Sequence, residues 1–248
     1  MGWHVLNTRP ADRASRLTQQ LRAAGHQVSE LPLLAFESCV LCDEDQRALQ
    51  HIALCSVVVV VSPMAAQLGL AHLARLGMMT QALAVRWIAV GQATAQVLRQ
   101  AGLQPTVPML ETSEGLVALP QFAELTAGQS VMLWRGEAGR DLIQLQLGQQ
   151  QVHLSNLELY RRVKPPDLAE NWLRIIQSIG FPDVVVISSA DSWQHWQHLT
   201  GDDAMRPWLL VLGRRLLQQL QSSTSRLCAL QDLQPATVAH ALHGVMSK

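Results

Sequence analysis

Short apolar runs alternate with longer stretches in which apolar residues recur every three or four positions, almost throughout the chain. The clearest run is Val57 to Val61, five valines followed by Ser62, Pro63 and Met64. A run with no polar face predicts a strand buried on both sides. Nearly the same phrase, "DVVVISSADS", returns from Asp183 to Ser192. Periodicity predicts further strands over residues 5–7, 28–36 (broken by Pro32), 87–90, 106–107, 131–134, 152–160, 184–187, 209–212 and 227–230. Helices are expected between them, over 43–54, 65–76, 93–101, 114–119, 140–147, 168–179, 192–199 and 235–245. Another is expected on the face marked by Leu17, Leu21 and Ala24 and closed by Gly25, and one more runs up to Gln221. Alternation of this kind argues for parallel sheets covered by helices.

A fixed offset connects the two halves. Val58 and Val184 stand 126 residues apart, and so do Ser62 and Ser188. The same offset carries Val5 onto Val131, Arg9 onto Arg135, Leu17 onto Ile143, Val28 onto Leu154 and Leu33 onto Leu159. Gly91 and Gly213 pair at 122, which a short deletion explains. Any two α/β stretches share an apolar strand and a helix. A common offset across two separated blocks goes further, and reads as a duplicated unit. The strands over 28–36 and 152–160 end in loops or prolines rather than tight turns. They could be crossings between two domains.

With 248 residues, 48% hydrophobic and 15% charged, the chain can bury a sizeable core in one large or two modest domains. Lys plus Arg and Asp plus Glu are 19 each, so a broad electrostatic footprint for nucleic acid is absent. No apolar run approaches the ~18 residues that cross a bilayer. Residues 1–5 lack the pattern of a secretory signal, and Gly2 lacks the downstream Ser or Thr of myristoylation. Four cysteines suit reduced thiols in a cytoplasm rather than a disulfide scaffold. Cys39 and Cys42 have redox or metal spacing, but Cys55 and Cys228 supply no second pair of that kind. His195 with His198, and His240 with His243, read as helix surface, with Trp193 and Trp196 as packing. There is no P-loop, no GxGxxG after the first strand and no GxSxG, which disfavours a nucleotide cofactor.

In open α/β sheets ligands lie beyond the carboxyl ends of the strands, where helix N-termini suit anions. The candidate junctions are Thr8-Arg9-Pro10, Ser62-Pro63-Met64, Gly91 to Ala95 with Thr94, Arg135-Gly136-Glu137, Ser188-Ser189-Ala190 and Gly213-Arg214-Arg215. Ser62 and Ser188 could be helix caps alone or could face a ligand. Arg9 and Arg135 could pair with carboxylates. Tyr160, the one tyrosine, is either an amphipathic core edge or a proton donor.

The segments "VLNTRPADRASRLTQQLRAAGHQVSELPLL", "AVGQATAQVLRQAGLQPTVP", "TSEGLVALP" and "LWRGEAGRDLIQLQLGQQQVHLSNLELYRR" together resemble the uroporphyrinogen-III synthase family, nearly end to end. The resemblance implies an α/β fold of two similar parallel-sheet domains joined by a two-stranded β-ladder, with a ligand cleft between them. Residues 1–35 and 165–248 would form one domain and 40–157 the other, with 36–39 and 158–164 connecting them. The implied reaction is cyclisation of the anionic linear tetrapyrrole hydroxymethylbilane, with inversion of its last pyrrole ring and loss of water. No cofactor or metal is expected. A cytoplasmic monomer receiving substrate from hydroxymethylbilane synthase is expected, with neither nucleic acid nor membrane as partner. Tyr160 matches the family tyrosine proposed to help the hydroxyl leave, and Thr94 its cleft threonine. Two departures stand out. The valine strand often ends Thr-Ser-x-Asn-Ala in the family, against Ser62-Pro63-Met64-Ala65 here, and Leu216 stands where the second VGxxTA-like block usually keeps a threonine. A non-catalytic binder of an anionic small molecule is the alternative.

Overall fold

A computed structural model of the chain describes residues 2–137 and 142–246. Along the chain the first elements are β1 (His4–Asn7), α1 (Ala11–Ala23) and β2 (Gln27–Glu30). Next come β3 (Ala35–Ser38), α2 (Asp43–Gln50), β4 (Val57–Val60), α3 (Pro63–Arg75), α4 (Met79–Ala82), β5 (Arg86–Ala89), α5 (Gln92–Gln100) and β6 (Pro105–Thr106). They continue with α6 (Ser113–Val117), α7 (Pro120–Ala123), β7 (Ser130–Gly136), α8 (Leu142–Gln149) and β8 (His153–Val163). The last are α9 (Leu168–Ser178), β9 (Val184–Ile187), α10 (Ala190–Thr200), β10 (Trp208–Leu212), α11 (Arg214–Leu220), β11 (Leu227–Leu230) and α12 (Pro235–Met246). The expected start of a helix at Arg140 lies outside the described residues.

Two compact units result, Met1–Ala35 with Val163–Lys248, and Phe36–Arg162. Among the described residues the first holds a sheet of order β2-β1-β9-β10-β11 and the second a sheet of order β3-β8-β7-β4-β5-β6. The pairings from β2 through β11, and from β8 through β6, are parallel. At the edge of the second sheet, Cys39 N–H donates to the Leu159 carbonyl and Glu37 meets Arg161 at 2.9 Å. Rising numbers on β3 thus meet falling numbers on β8, the sense of an antiparallel pair.

The valine-rich strands occupy sheet interiors, which is why they lack a polar face. In the second unit Val58 and Val60 join Trp87, Met132 and Trp134 in one core layer, beneath α3 and α5. Val57 and Val59 join Ile88, Val131 and Leu133 in the other, with Phe122, Ile143 and Leu147. The first unit repeats the plan. Val185 and Ile187 pack with Leu6, Trp193, Trp196 and Leu216, and Val184 and Val186 with Val5, Leu17, Leu21 and Leu242. Alternate residues of each strand therefore feed opposite layers, as the pleat requires.

Two expectations need correction. Residues 28–36 are not one strand: β2 and β3 belong to different sheets. Pro32 has no N–H to donate, whereas Leu31 and Leu33 still donate to the carbonyls of Asn7 and Thr8. Second, the offset of 126 holds for β1 with β7 and for β2 with β8, but β4 and β9 correspond at 127. Val57, not Val58, pairs with Val131, whereas Val184 pairs with Val5. Ser62 therefore corresponds to Ser189, which caps α10, and not to Ser188.

Candidate active site

The carboxyl ends of β4, β5, β7 and β8 surround a pocket of about 190 Å³ in the second unit. Val61, Val90, Leu133 and Ile143 give it an apolar floor, and Ser113, Arg135, Glu137, Tyr160 and Arg162 give it polar walls. Position on β8 explains two of these, because Tyr160 and Arg162 are two apart and share a face.

Tyr160 is held on several sides. Its hydroxyl donates to Ser62 Oγ at 3.1 Å, and the same oxygen accepts the Ala65 N–H at 3.0 Å. Ser62 thus caps α3 and orients the phenol at once. The Phe36 ring meets the Tyr160 ring edge-on, with centroids 5.6 Å apart. On another side the ring lies against Gly136, where a Cβ would come within 2.6 Å of Cε2 and Cζ. The Glu137 N–H donates to the Tyr160 carbonyl at 2.7 Å.

A bulge creates this packing. Arg135 pairs with Glu158, but the next residue, Gly136, pairs with Tyr160, so β8 carries one extra residue. Such bulges re-aim side chains, and here the phenol is set over Gly136. Arg135 is only 3% exposed, and its Nε donates to the Gly136 carbonyl at 3.3 Å. A guanidinium is thereby built into the wall of the pocket.

The other expected residues divide by burial. Pro63 opens α3, and Met64 beside it is half-buried. Thr94 and Ala95 are buried in α5. Leu216 is equivalent to Thr94 in the repeat and is also buried, in the core of the first unit. The helix therefore turns this position inward in both copies. Gly91 adopts extended backbone, and a Cβ there would meet Glu111 Oε2, the end of an exposed side chain that can swing aside. Its counterpart Gly213 has φ 90°, a conformation that favours glycine by itself.

In the first unit Thr8 is fully buried and its hydroxyl donates to the Val186 carbonyl, so that hydroxyl is committed inside the sheet. Arg9 remains half-buried. Its N–H donates to Asn7 Oδ1 at 3.3 Å and its guanidinium to the Leu233 carbonyl at 3.2 Å, with Pro10 leading into α1. Ser189 Oγ accepts the Ser192 N–H at 3.1 Å, Ser188 Oγ lies 3.4 Å from Ser192 Oγ, and Ala190 opens α10.

Arg162, Ser113 and Glu111 were not singled out from the sequence, whereas Glu137 stands at the expected junction after Gly136. Alternation along β8 beyond Tyr160 is the signal that could have found Arg162. His195, expected at a helix surface, instead places Nδ1 2.6 Å from the Leu33 carbonyl. Trp193 and Trp196 are core residues. Among the described residues, no three His, Cys, Asp or Glu side chains gather so as to hold a metal ion. Among the same residues, no helix is long and apolar enough to cross a membrane.

The family model described as "Uroporphyrinogen-III synthase HemD" matches residues 15–228. The chain belongs to the uroporphyrinogen-III synthase family. It is 29% identical over 239 residues to the uroporphyrinogen-III synthase of Salmonella typhimurium strain LT2, a match covering 94% of each chain. Its fold is similar to that of a mutant uroporphyrinogen III synthase from the extremely thermophilic bacterium Thermus thermophilus, with a TM-score of 0.66 and 15% identity over 100% of both chains. The uroporphyrinogen-III synthetase of Helicobacter pylori 26695 superposes with a TM-score of 0.59 at 14% identity, over 100% of this chain and 99% of the other. The two-sheet α/β architecture is thus that of solved uroporphyrinogen-III synthases.

Proposed function

We propose that this member of the family is a working lyase that cyclises hydroxymethylbilane to uroporphyrinogen III, inverting the terminal ring and releasing water. The observation that carries the reading is the phenol of Tyr160, fixed by Ser62 at a pocket walled by Arg135 and Arg162. At 190 Å³ the pocket is smaller than the roughly 300–1,000 Å³ of sites for whole drug-sized ligands. It suits one pyrrole ring of the substrate with its acidic arms, while the rest of the chain lies along other strand ends.

In this reading Tyr160 gives its proton to the departing hydroxyl as the carbon–oxygen bond breaks, and water leaves. The Ser62 hydroxyl then donates to the phenolate. An azafulvene results, and the far ring attacks it through its substituted carbon to give a spiro intermediate. That intermediate reopens and recloses with the ring inverted. The proton released as the rings regain pyrrole form returns to Tyr160. The substrate end is intrinsically reactive, so the protein chiefly folds it until the unusual carbon attacks, a matter of orientation. Operation as a cytoplasmic monomer supplied directly by hydroxymethylbilane synthase belongs to the same reading.

The test is turnover of freshly prepared hydroxymethylbilane. Type III isomer is the expected product. Formation of only the spontaneous type I product would leave a binder rather than an enzyme.

A further inference from the structure

Three arginines gather at one pocket of the first unit. Arg9, Arg13 and Arg16 face Leu233, Gln234 and Pro235 across about 330 Å³. Arg13 and Arg16 are three apart on α1 and share a face. Arg9 reaches the same place from the β1–α1 junction. Its neighbour Asn7 is buried and ties that junction to α1, donating to the Ala14 carbonyl and to Thr18 Oγ1, each at 3.0 Å. The Leu233 carbonyl then fixes the Arg9 guanidinium.

The charges are poorly balanced. Burial, and after it the charge of Arg13, lower the pKa of Arg9 and outweigh the opposing charge of Asp12, although arginine stays protonated at neutral pH. Asp12 approaches Arg13 at 3.4 Å, but both side chains are about half exposed, and such pairs contribute little. Asp232 is engaged by the Gln234 N–H and by Thr237. Among the described residues no carboxylate forms an ion pair with Arg9 or Arg16. Like charges held together around a cavity are relieved by an anion. The pocket lies past the carboxyl ends of β1 and β11, where α/β sheets bind ligands.

We infer that Arg9, Arg13 and Arg16 form a carboxylate subsite that grips an acidic arm of the tetrapyrrole away from the reacting end. This rests on the proposed function and adds two residues, Arg13 and Arg16, that bind substrate without touching its reacting carbon. The repeat offers no second copy: the position matching Arg16 is Leu142.

The test is the double variant Arg13→Gln/Arg16→Gln, beside Arg174→Gln, which removes an exposed arginine paired with Glu170 on α9. Losing two charge-assisted contacts raises KM for hydroxymethylbilane roughly 10-fold, with a much smaller change in kcat. Inorganic phosphate inhibits the wild type competitively and the double variant weakly. A KM matching that of Arg174→Gln overturns the subsite, whatever phosphate does. A wild type that makes no type III isomer sinks the proposed function instead. The subsite is then judged by melting temperature: phosphate raises it in the wild type and not in the double variant, and no rise overturns the subsite as well.

Discussion

The five parallel strands of each sheet share one order, yet the two rims carry different chemistry. In the second unit the strand beside β7 is bulged and presents Tyr160 to Ser62. In the first unit the equivalent place belongs to Leu34, which is buried, and the equivalent serine, Ser189, bonds to Ser192 within its own helix turn. The first unit offers Arg13 and Arg16 on α1, and the second offers Gly136 beneath a phenol. Duplication thus accounts for the scaffold, and the chemistry sits where the copies have diverged. On the proposed reading one unit transfers the proton and the other grips charge.

The sharpest way to break this contrast is Tyr160→Phe. It lowers kcat by about 100-fold if the phenol is the acid, at an unchanged melting temperature. An unchanged rate removes the chemical distinction between the units. Gly136→Ala comes next. The added methyl meets the ring at 2.6 Å and must displace it. A shift of that kind lowers kcat by about 10-fold or more and costs roughly 1–3 kcal/mol in urea unfolding. Gly213→Ala costs on the order of 1 kcal/mol through backbone strain at φ 90°, with the smaller effect on rate.

A matched pair sharpens the comparison. Ser62→Ala and Ser189→Ala each remove a helix cap and each cost about 1 kcal/mol. Ser62→Ala also lowers kcat several-fold, because the phenol loses its anchor. Equal rates for the two would make Ser62 a cap alone. The smallest effect separates the units by acid. His4 is buried in the first unit, and burial lowers its pKa from the ordinary 6.5. The unfolded chain therefore binds the proton first, and stability falls as pH drops below about 6.5. The corresponding residue in the second unit is Ser130. Replacing His4 with Asn should flatten the acid limb of a pH–stability curve, and an unaltered limb would clear His4 of that role.

Much of the fold was legible because burial on both faces leaves an unbroken valine run, as in β4 and β9. The run over 28–36 misled for the same reason, since apolar continuity does not say which sheet a residue joins. The one-residue slip between β4 and β9 was hidden because both strands are nearly uniform, so any register looks alike. At the site, Tyr160 and the serine phrase were visible separately. Their contact joins residues 98 apart, and the bulge that permits it has no glycine or proline to announce it on β8. Glu111 over Gly91 was likewise unreadable, because the connection between β6 and α6 carries it back across the rim from twenty residues away.

The split composition of the first unit has a consequence for synthesis. β1 pairs with β9, Val5 beside Val184. The ribosome makes about 5–20 residues per second, so β1 waits on the order of ten seconds or more for that neighbour. The second unit, continuous from Phe36 to Arg162, is complete before then. Newly made β1, α1 and β2 must therefore keep their apolar faces from sticking elsewhere while a whole α/β unit is translated behind them.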